Sequence, residues 1–260
     1  MNTAEVIGIK RHCMGTDGEG ITTLVAFHGC LLRCKYCLNP QCQSSFDPNR
    51  EMSPKDLMDI LQKDELYFIA TGGGVTFGGG EPLLHSRFIA DVLSLGAKKW
   101  HTTIETSLCV DQHHVERLLP WIDEYIVDVK DMNDNIYQNY TGHHSDRMKS
   151  NLRYLIDMGR ADSILCRLPI IPGYNTERER TKSEDELIDM GITRFEKFTY
   201  IRRKDPSDSY SEVSQGKKTL TLEDVRRIKE EKEKMNRFLK SFHDKYKNCW
   251  TKGLIVEEDE

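Results

Sequence analysis

Short apolar runs that are rich in β-branched residues alternate with amphipathic segments along most of the chain. Such runs, bounded by glycine, proline or polar residues, are typical of buried strands, and their alternation with helical segments is typical of βα units around a parallel sheet. The pattern predicts six strands, at Thr23–Phe27, Gly74–Phe77, Trp100–Glu105, Tyr125–Lys130, Ser163–Pro169 and Arg194–Thr199.

Between these strands, apolar residues recur with the spacing of an α-helix. Ser53 is a candidate N-cap for the first helix, and each helix can serve as a right-handed crossover. The predicted helices are Pro54–Gln62, His85–Leu95, Asp111–Leu119, Arg147–Met158 and Ser183–Met190. Six units are too few for a closed eight-unit barrel. We therefore expect an α/β fold, an open partial (β/α)6 barrel with its site at the carboxyl ends of the strands.

The last quarter of the chain has a different pattern. The segment Arg202–Lys218, rich in Ser, Asp, Lys and Gly, predicts a mobile loop, and Leu222–Phe242 predicts a long, charged helix with Thr221 as its N-cap. A short apolar run, Gly253–Val256, precedes the acidic end. No repeat or linker divides the chain. We expect a single domain over residues 1–260, with a core at about 8–200 and a C-terminal helix and short strand at 219–257.

Composition narrows the function classes. The 260 residues include 42 acidic and 37 basic side chains, a net charge of −5, which disfavours a broad nucleic-acid-binding surface. No stretch approaches the roughly 20 apolar residues of a membrane-spanning helix, and the N-terminus lacks the apolar core of a signal peptide. We expect a cytoplasmic monomer that binds neither nucleic acid nor membrane.

Four of the eight cysteines lie between positions 30 and 42. Thiols stay reduced in the cytoplasm, so this clustering indicates a metal or iron-sulfur centre rather than disulfides. Cys30, Cys34 and Cys37 form a CxxxCxxC motif, whose three ligands would leave one metal open to a substrate or cofactor. Cys42 is an alternative fourth ligand, which would instead give a zinc knuckle or an electron-transfer cluster. Spacing alone does not separate these two hypotheses.

The CxxxCxxC motif, with Tyr36 just before its third cysteine, resembles that of the radical S-adenosylmethionine (radical SAM) superfamily. The resemblance implies that Cys30, Cys34 and Cys37 hold a 4Fe-4S cluster whose fourth iron is chelated by SAM. In that family the reduced cluster cleaves SAM to methionine and a 5′-deoxyadenosyl radical.

The resemblance continues along the chain. The segment TGGGVTFGGGEPLL, residues 71–84, resembles the family's glycine-rich second-strand segment, in which Gly79, Gly80 and Glu81 would bind the SAM amino group. Its GGGVT, together with VDVKDMND at residues 127–134, is similar to glycyl radical enzyme activating enzymes of the pyruvate formate-lyase activase type. This narrower resemblance extends from Gly8 to about Lys240.

The activase resemblance also implies roles for residues at the strand ends. Glu105, Thr106 and Asp128 would form a monovalent-cation site beside the SAM carboxylate, with Lys130 near the SAM; the alternative is a surface ion pair. Arg167 would bind a carboxylate of SAM or a bound peptide backbone, unless it forms a salt bridge at the core edge. The family histidine near the adenine is absent. Tyr200, Ile201 or Arg202 would take the place of this histidine, and the ring of Tyr200 could stack on the adenine.

Three functions follow from these observations. The leading one is an activase that abstracts a glycine Cα hydrogen from a partner glycyl radical enzyme, with flavodoxin or ferredoxin as electron donor. Arg33 and Lys35 would then help to dock the acidic donor, unless they only solubilise an exposed loop. The second is a radical SAM enzyme that acts on a small molecule or another peptide. The third is a non-catalytic zinc or electron-transfer protein that uses Cys42 as fourth ligand.

Overall fold

The computed structural model describes residues 2–14, 18–47, 50–96, 99–202 and 210–250. The chain falls into two compact units, residues 1–218 and 219–260. The first contains a nine-stranded sheet, and the second contains one long helix. The expectation of a single domain stays a prediction.

Six parallel strands form the centre of the sheet, and they lie side by side in chain order. Each contains most of one predicted strand, so the sequence pattern located all six. The sheet extends from one free edge to the other without closing, which confirms the open partial barrel. The six strands are β2 (Ile21–Phe27), β4 (Gly74–Gly79), β5 (His101–Thr106), β6 (Glu124–Asp128), β7 (Ile164–Ile170) and β8 (Arg194–Arg202).

Two strands that the sequence analysis did not predict extend the sheet beside β2. The strand β1 (Ala4–Met14) pairs antiparallel with β2, and the two-residue β3 (Glu51–Met52) pairs antiparallel with β1. Most side chains in the second half of β1 are exposed, as is common for antiparallel strands near an edge. Because this half of β1 is polar, a search for apolar runs does not identify the strand.

A third additional strand, β9 (Tyr210–Thr219), lies beside β8 at the opposite edge. It corrects the prediction of a mobile loop at Arg202–Lys218. Residues 215–219 are exposed, so backbone pairing rather than burial forms the strand here. Gln215 accepts a hydrogen bond from Arg180 at 2.9 Å and donates one to Thr199 at 3.3 Å. Residues 203–209 lie outside the described residues.

Helices connect the parallel strands largely where periodicity predicts them. Two helices, α2 (Glu65–Thr71) and α5 (Asp134–Thr141), were not predicted. Helix α7 (Glu177–Asp189) begins six residues before the predicted Ser183, because Thr176 and Glu179 form a capping box. Thr221 caps α8 as predicted, accepting a hydrogen bond from the Asp224 amide at 3.1 Å. The helices are α1 (Pro54–Leu61), α2 (Glu65–Thr71), α3 (Ser86–Ser94), α4 (Gln112–Leu118), α5 (Asp134–Thr141), α6 (Asp146–Asp157), α7 (Glu177–Asp189) and α8 (Leu222–Trp250).

The predicted short strand at Gly253–Val256 lies outside the described residues. Within the described part of the chain, no helix has both the length and the apolar character needed to cross a bilayer.

A buried carboxylate ties β1 to β2 and to the segment before α2. The side chain of Asp64 is fully buried and accepts hydrogen bonds from the Arg11 guanidinium and, at 2.8 Å, from the Thr23 hydroxyl. The Arg11 hydrogen bond holds the pKa of Asp64 below its usual value. The contact therefore joins three segments that are distant in sequence.

We expect Asp64→Asn to lower the free energy of unfolding by about 2 kcal/mol at neutral pH, because a buried ionic hydrogen bond is lost. Since the pKa of Asp64 is lowered on folding, its contribution is complete above the unfolded pKa and disappears as pH falls through the folded pKa. Urea unfolding at neutral pH and at a pH below that range measures the effect. An equal loss at both pH values would contradict the assignment.

Candidate active site

The carboxyl ends of the parallel strands surround one cavity. About 680 Å³ of space, including its open mouth, lies between the protein atoms there. Because parallel strands end at the same edge of a sheet, the loops that follow them converge on this space. The predicted residues that line it are Cys30, Cys34, Cys37, Gly79, Gly80, Glu81, Glu105, Thr106, Asp128, Lys130 and Tyr200. Arg167 lies beside it, bonded to Glu105.

Helix α5 holds the cysteine loop through its last carbonyl groups. The amide of Arg33 donates to the Thr141 carbonyl at 2.8 Å, and the amide of Lys35 donates to the Tyr140 carbonyl at 3.2 Å. Gly142 ends the helix in the left-handed conformation, with φ at +81°, and leaves these carbonyls available. Helix α5 therefore connects the strand end of β6 to the cysteine loop.

The two basic residues of the loop have different roles. Arg33 Nη1 donates to the carbonyls of Cys30 at 2.6 Å and Leu32 at 3.0 Å, so this guanidinium stabilises the loop itself. Both Arg33 and Lys35 are exposed, and no described side-chain hydrogen bond involves Lys35. Their predicted role in docking an acidic electron donor stays a prediction.

The thiols of the cysteine loop differ in pKa. Burial raises the pKa of Cys30 to about 12 and that of Cys34 to about 11. An interaction with Cys42 lowers the pKa of Cys37 below its usual value. At neutral pH, iron must therefore displace protons from Cys30 and Cys34 when it binds.

The donor set fits an iron-sulfur cluster. Cys30, Cys34 and Cys37 all line the cavity, and thiolates are the usual ligands of such clusters. Among the described residues, no three His, Cys, Asp or Glu side chains converge as ligands of one metal ion. A cluster does not require such convergence, because each cysteine binds a different iron.

The glycine pair Gly79–Gly80 allows the cysteine loop to pass directly against β4. The Gly80 amide donates to the Phe27 carbonyl at 2.9 Å, and the Glu81 amide donates to the Gly29 carbonyl at 2.8 Å. A Cβ atom on Gly80 would lie 2.2 Å from the Gly29 oxygen. The packing of the backbone against Gly29 therefore requires glycine at position 80.

The Glu81 carboxylate is enclosed by protein donors. It accepts hydrogen bonds from the hydroxyls of Thr106 and Ser107, both at 2.6 Å, and from the amides of Ser107 at 3.0 Å and Leu83 at 3.3 Å. The side chain joins the ends of β4 and β5 and caps the short helical turn at Pro82–His85. SAM binding by this segment would therefore use backbone atoms of the glycines, while the carboxylate maintains their position.

A row of alternating charges crosses three neighbouring strands. The sheet register pairs Asp128 with Arg167 and Arg167 with Glu196. Arg167 contacts Glu105 at 2.6 Å, Glu196 at 3.2 Å and Asp128 at 3.9 Å. The salt-bridge alternative for Arg167 is thus observed. Lys130 also contacts Asp128. The carboxylates of Glu105, Asp128 and Glu196 therefore face two cationic side chains, which leaves an excess of one negative charge.

The predicted cation ligands are only partly brought together. Glu105 and Asp128 both contact Arg167. The Thr106 hydroxyl instead donates to Glu81 and accepts from the Leu108 amide at 2.9 Å. A cation at this place would rely mainly on the carboxylates.

Lys130 directs its ammonium group into the cavity wall from an unusual backbone conformation, with φ at +61°. Its Nζ donates to Asp128 at 2.7 Å and to the Tyr200 hydroxyl at 3.3 Å. Burial alone would lower the pKa of Lys130, but the charge of Asp128 raises it well above the usual value. The pair is therefore ionised at neutral pH.

Tyr200 belongs to an aromatic cluster beside Cys34. The rings of Tyr140 and Phe198 lie 6.4 Å and 5.2 Å from it, and Tyr36 packs at 6.4 Å. Tyr200 is 3% exposed and faces the cavity, whereas the side chains of Ile201 and Arg202 lie outside the described residues. Its role at the adenine stays a prediction.

Four residues of the site were not identified from the sequence: Asn39, Ser107, Tyr140 and Glu196. Asn39 donates to the Gly79 carbonyl at 3.1 Å, and Tyr140 holds the cysteine loop. Glu196 could have been found, because Glu196, Phe198 and Tyr200 alternate along β8 and share one face. The other three depend on contacts between loops that have no periodic signal.

Comparisons with known proteins identify the family of the chain. A profile of the Radical SAM superfamily matches residues 24–183. The pyruvate formate-lyase-activating enzymes of Staphylococcus aureus strains USA300 and N315 are 32% identical over 186 residues, 68% of this chain and 71% of theirs.

Solved structures show the same fold. Streptococcus suis SuiB bound to S-adenosylmethionine aligns with a TM-score of 0.54 at 20% identity, over 85% of this chain and 49% of SuiB. SuiB bound to its precursor peptide SuiA gives a TM-score of 0.54 over 84% of this chain. This chain thus spans about half of SuiB, and at this identity the likeness concerns the fold alone.

Sequence match and site geometry lead to one assignment. The chain is an enzyme of the radical SAM oxidoreductase type that uses a 4Fe-4S cluster and SAM. The hypothesis of a non-catalytic zinc or electron-transfer protein is therefore not supported. The chain belongs to the radical SAM superfamily and, within it, to the glycyl radical enzyme activating type that includes the pyruvate formate-lyase-activating enzymes.

Proposed function

We propose that this enzyme activates a partner glycyl radical enzyme by removing one hydrogen atom from a glycine Cα. The observation that carries the proposal is the 32% identity to pyruvate formate-lyase-activating enzymes over 68% of the chain. The cavity supports it, because the cysteines, the glycine pair and the Asp128–Lys130 pair line the same space. Which glycyl radical enzyme is the partner is left to experiment.

When bound, the cluster and SAM supply an electron and a carbon-centred radical, and the protein supplies position and shielding. Cys30, Cys34 and Cys37 would hold the cluster. The backbone of Gly79 and Gly80 would contact the amino group of SAM, held in place by Asn39 and Glu81. These groups belong to strand ends and to a loop with several backbone anchors, so little reorganisation accompanies binding.

Two further features serve the radical step. Lys130 and Asp128 form a buried ion pair at the cavity wall that can orient polar groups of SAM. The tyrosine cluster around Tyr200 forms an apolar wall that excludes water from a reactive radical. The sheet is open, so an extended glycine-containing segment can enter from the side rather than through a closed rim.

The test is electron paramagnetic resonance of a candidate partner after anaerobic incubation with this enzyme, reductant and SAM. The expected result is a glycyl radical doublet on the partner. A partner variant whose acceptor glycine is alanine serves as the control and should give no doublet. SAM cleavage without a doublet on any encoded glycyl radical enzyme would contradict the proposal and favour a small-molecule or other peptide substrate.

The electron donor belongs to the same proposal. A flavodoxin or ferredoxin in the cytoplasm would deliver the electron at the face that carries the cysteine loop, where Lys35 is exposed. Lys35→Glu is expected to slow reduction by flavodoxin severalfold at low salt and to leave reduction by dithionite unchanged. Equal slowing with both reductants would show that Lys35 has a structural role instead.

A monovalent cation near Glu105, Thr106 and Asp128 is part of the proposal as well. The excess negative charge around Arg167 supports it, since a monovalent ion would balance that charge. Replacing sodium and potassium with tetramethylammonium is expected to weaken SAM binding, as measured by equilibrium dialysis. Unchanged binding would argue that no cation is used.

A further inference from the structure

Lys130 lies at the centre of a tight turn that directly follows β6. The Asp131 amide donates to the Val129 carbonyl at 2.8 Å, so residues 129–131 form a γ-turn. A γ-turn whose central residue has positive φ is rare and strained, and Lys130 has φ at +61°. Such a conformation persists only where neighbouring contacts stabilise it.

The Asp131 carboxylate is buried and accepts hydrogen bonds from three segments. Its Oδ1 accepts from the Asn133 amide at 2.8 Å and from the Ser183 hydroxyl at 3.3 Å, and its Oδ2 accepts from Asn175 Nδ2 at 3.0 Å. Asp131 is 2% exposed, and the Ser183 hydroxyl also accepts from the Met132 amide at 2.9 Å. The carboxylate therefore joins the loop after β6 to the loop after β7 and to α7.

Asn175 is itself fixed to the end of β7. Its Oδ1 accepts from the Ile171 amide at 2.6 Å, and its Nδ2 also donates to the Pro169 carbonyl at 3.2 Å. Asn175 is buried as well. Because these contacts reach a strand of the sheet, they fix the γ-turn at Lys130 relative to the strand ends.

Asp131 and Lys130 differ in their relation to the cavity. Lys130 lines it, whereas Asp131 lies outside the set of described residues that do so. A change of Lys130 to negative φ would break the γ-turn and redirect the side chain, which now donates to Asp128 and Tyr200. An effect of Asp131 on a ligand in the cavity would therefore pass through the turn.

We propose that Asp131 is a positioning residue for SAM binding: its buried hydrogen bonds hold Lys130 in the strained turn, with the ammonium group at the cavity. This inference rests on the proposed role of Lys130 in orienting SAM. The conformation of Lys130 is then set when the chain folds, so SAM binding does not have to order it. Asp131 itself neither binds SAM nor takes part in the radical step.

The test measures SAM binding by the reconstituted, unreduced enzyme, which does not cleave SAM. Anaerobic equilibrium dialysis compares wild type, Asp131→Ala, Lys130→Met and the double variant, after iron and sulfide analysis of each. Ser183→Ala is a milder variant that removes one donor to Asp131. Asp123→Ala is the matched control, because Asp123 lies at the opposite end of β6 and accepts from the Thr102 amide at 2.9 Å and hydroxyl at 2.8 Å.

We expect Asp131→Ala and Lys130→Met each to weaken SAM binding about tenfold at full iron content, because both take the ammonium group away from SAM. The double variant should bind SAM as Lys130→Met does, since Asp131 acts through Lys130. A merely structural role of Asp131 would instead add a further loss. Ser183→Ala should weaken binding about threefold, since it removes one hydrogen bond of several. Asp123→Ala should bind SAM as wild type does.

A second measurement needs no ligand. Trace acetylation with acetic anhydride, followed by mass spectrometry, compares the reactivity of Lys130 with that of Lys55, whose side chain is 77% exposed. Lys130 is 7% exposed, so we expect it to react slowly in the wild type. Asp131→Ala should raise the acetylation of Lys130 severalfold relative to Lys55, because the relaxed turn releases the ammonium group.

Other outcomes would overturn the inference. Wild-type SAM affinity in Asp131→Ala would do so, as would losses that add in the double variant or unchanged acetylation of Lys130. If Asp131→Ala fails to load iron, Ser183→Ala decides, and wild-type affinity in that variant would overturn the inference. Wild-type affinity in Lys130→Met would refute the role on which the inference rests. Because no readout involves a glycyl radical, failure here is distinguishable from failure of the proposed activity.

Discussion

Cys34→Ala is expected to abolish SAM cleavage, with a fall of more than about a thousandfold, because changes outside the ligand set of a metal already cost roughly 10–100-fold. Cys34 is the central cysteine of the motif, the second of its three proposed ligands, and packs against the tyrosine cluster that borders the cavity. Its loss would leave one iron of the cluster without a protein ligand. The measurements are visible absorbance after anaerobic reconstitution and 5′-deoxyadenosine formation by liquid chromatography.

Cys109→Ala provides the comparison. Cys109 is 2% exposed and follows β5, but it is not among the residues that line the cavity. Its substitution should preserve both the absorbance and most of the activity. Substantial SAM cleavage by Cys34→Ala would mean that another residue binds the cluster, and the assignment of the three ligands would be wrong.

Gly80→Ala is expected to have the second largest effect, because it acts on the backbone that supports the cysteine loop. The new Cβ would lie 2.2 Å from the Gly29 oxygen and 3.0 Å from the Phe27 oxygen. Neither is the movable end of a side chain, so β2 or the loop must shift. We expect a loss of roughly 3 kcal/mol or more in the free energy of unfolding, together with poor cluster loading.

Gly8→Ala is the matched control, since no heavy atom lies within 4 Å of a Cβ at that position and Gly8 is also on a strand. Urea unfolding and iron content of the two variants should separate clearly. If Gly80→Ala retains wild-type stability and iron, the close approach of β4 to the cysteine loop is not important for the site.

The six parallel strands were predictable because each is a short run rich in β-branched, aromatic or aliphatic residues that lies between segments of helical periodicity. Parallel order then placed the ends of β2, β4, β5, β6 and β8 around one cavity, and motif resemblance indicated which side chains to expect there. Secondary structure without such a signal was missed. The edge strand β9 is rich in polar residues and is exposed at residues 215–219, and α5 is a short helix of mostly polar residues, DNIYQNYT.

Individual side-chain partners were not predictable from the sequence. Glu81 was predicted to bind SAM, which stays a prediction, and the structure adds that its carboxylate accepts four hydrogen bonds from Leu83, Thr106 and Ser107. Arg33 was predicted to help dock an electron donor, which also stays a prediction, and the structure adds that its guanidinium donates to two carbonyls of its own loop. These partners depend on how loops from different strands meet, which neither periodicity nor spacing encodes.

The most direct test of the central claim is 5′-deoxyadenosine formation by the wild-type enzyme. The protein is reconstituted anaerobically with iron and sulfide, reduced with dithionite and given SAM. We expect a cluster that can be reduced, and 5′-deoxyadenosine whose formation requires both the cluster and SAM. A fully loaded, reducible cluster that yields no 5′-deoxyadenosine, with or without a glycyl radical enzyme present, would contradict the assignment to the radical SAM enzymes.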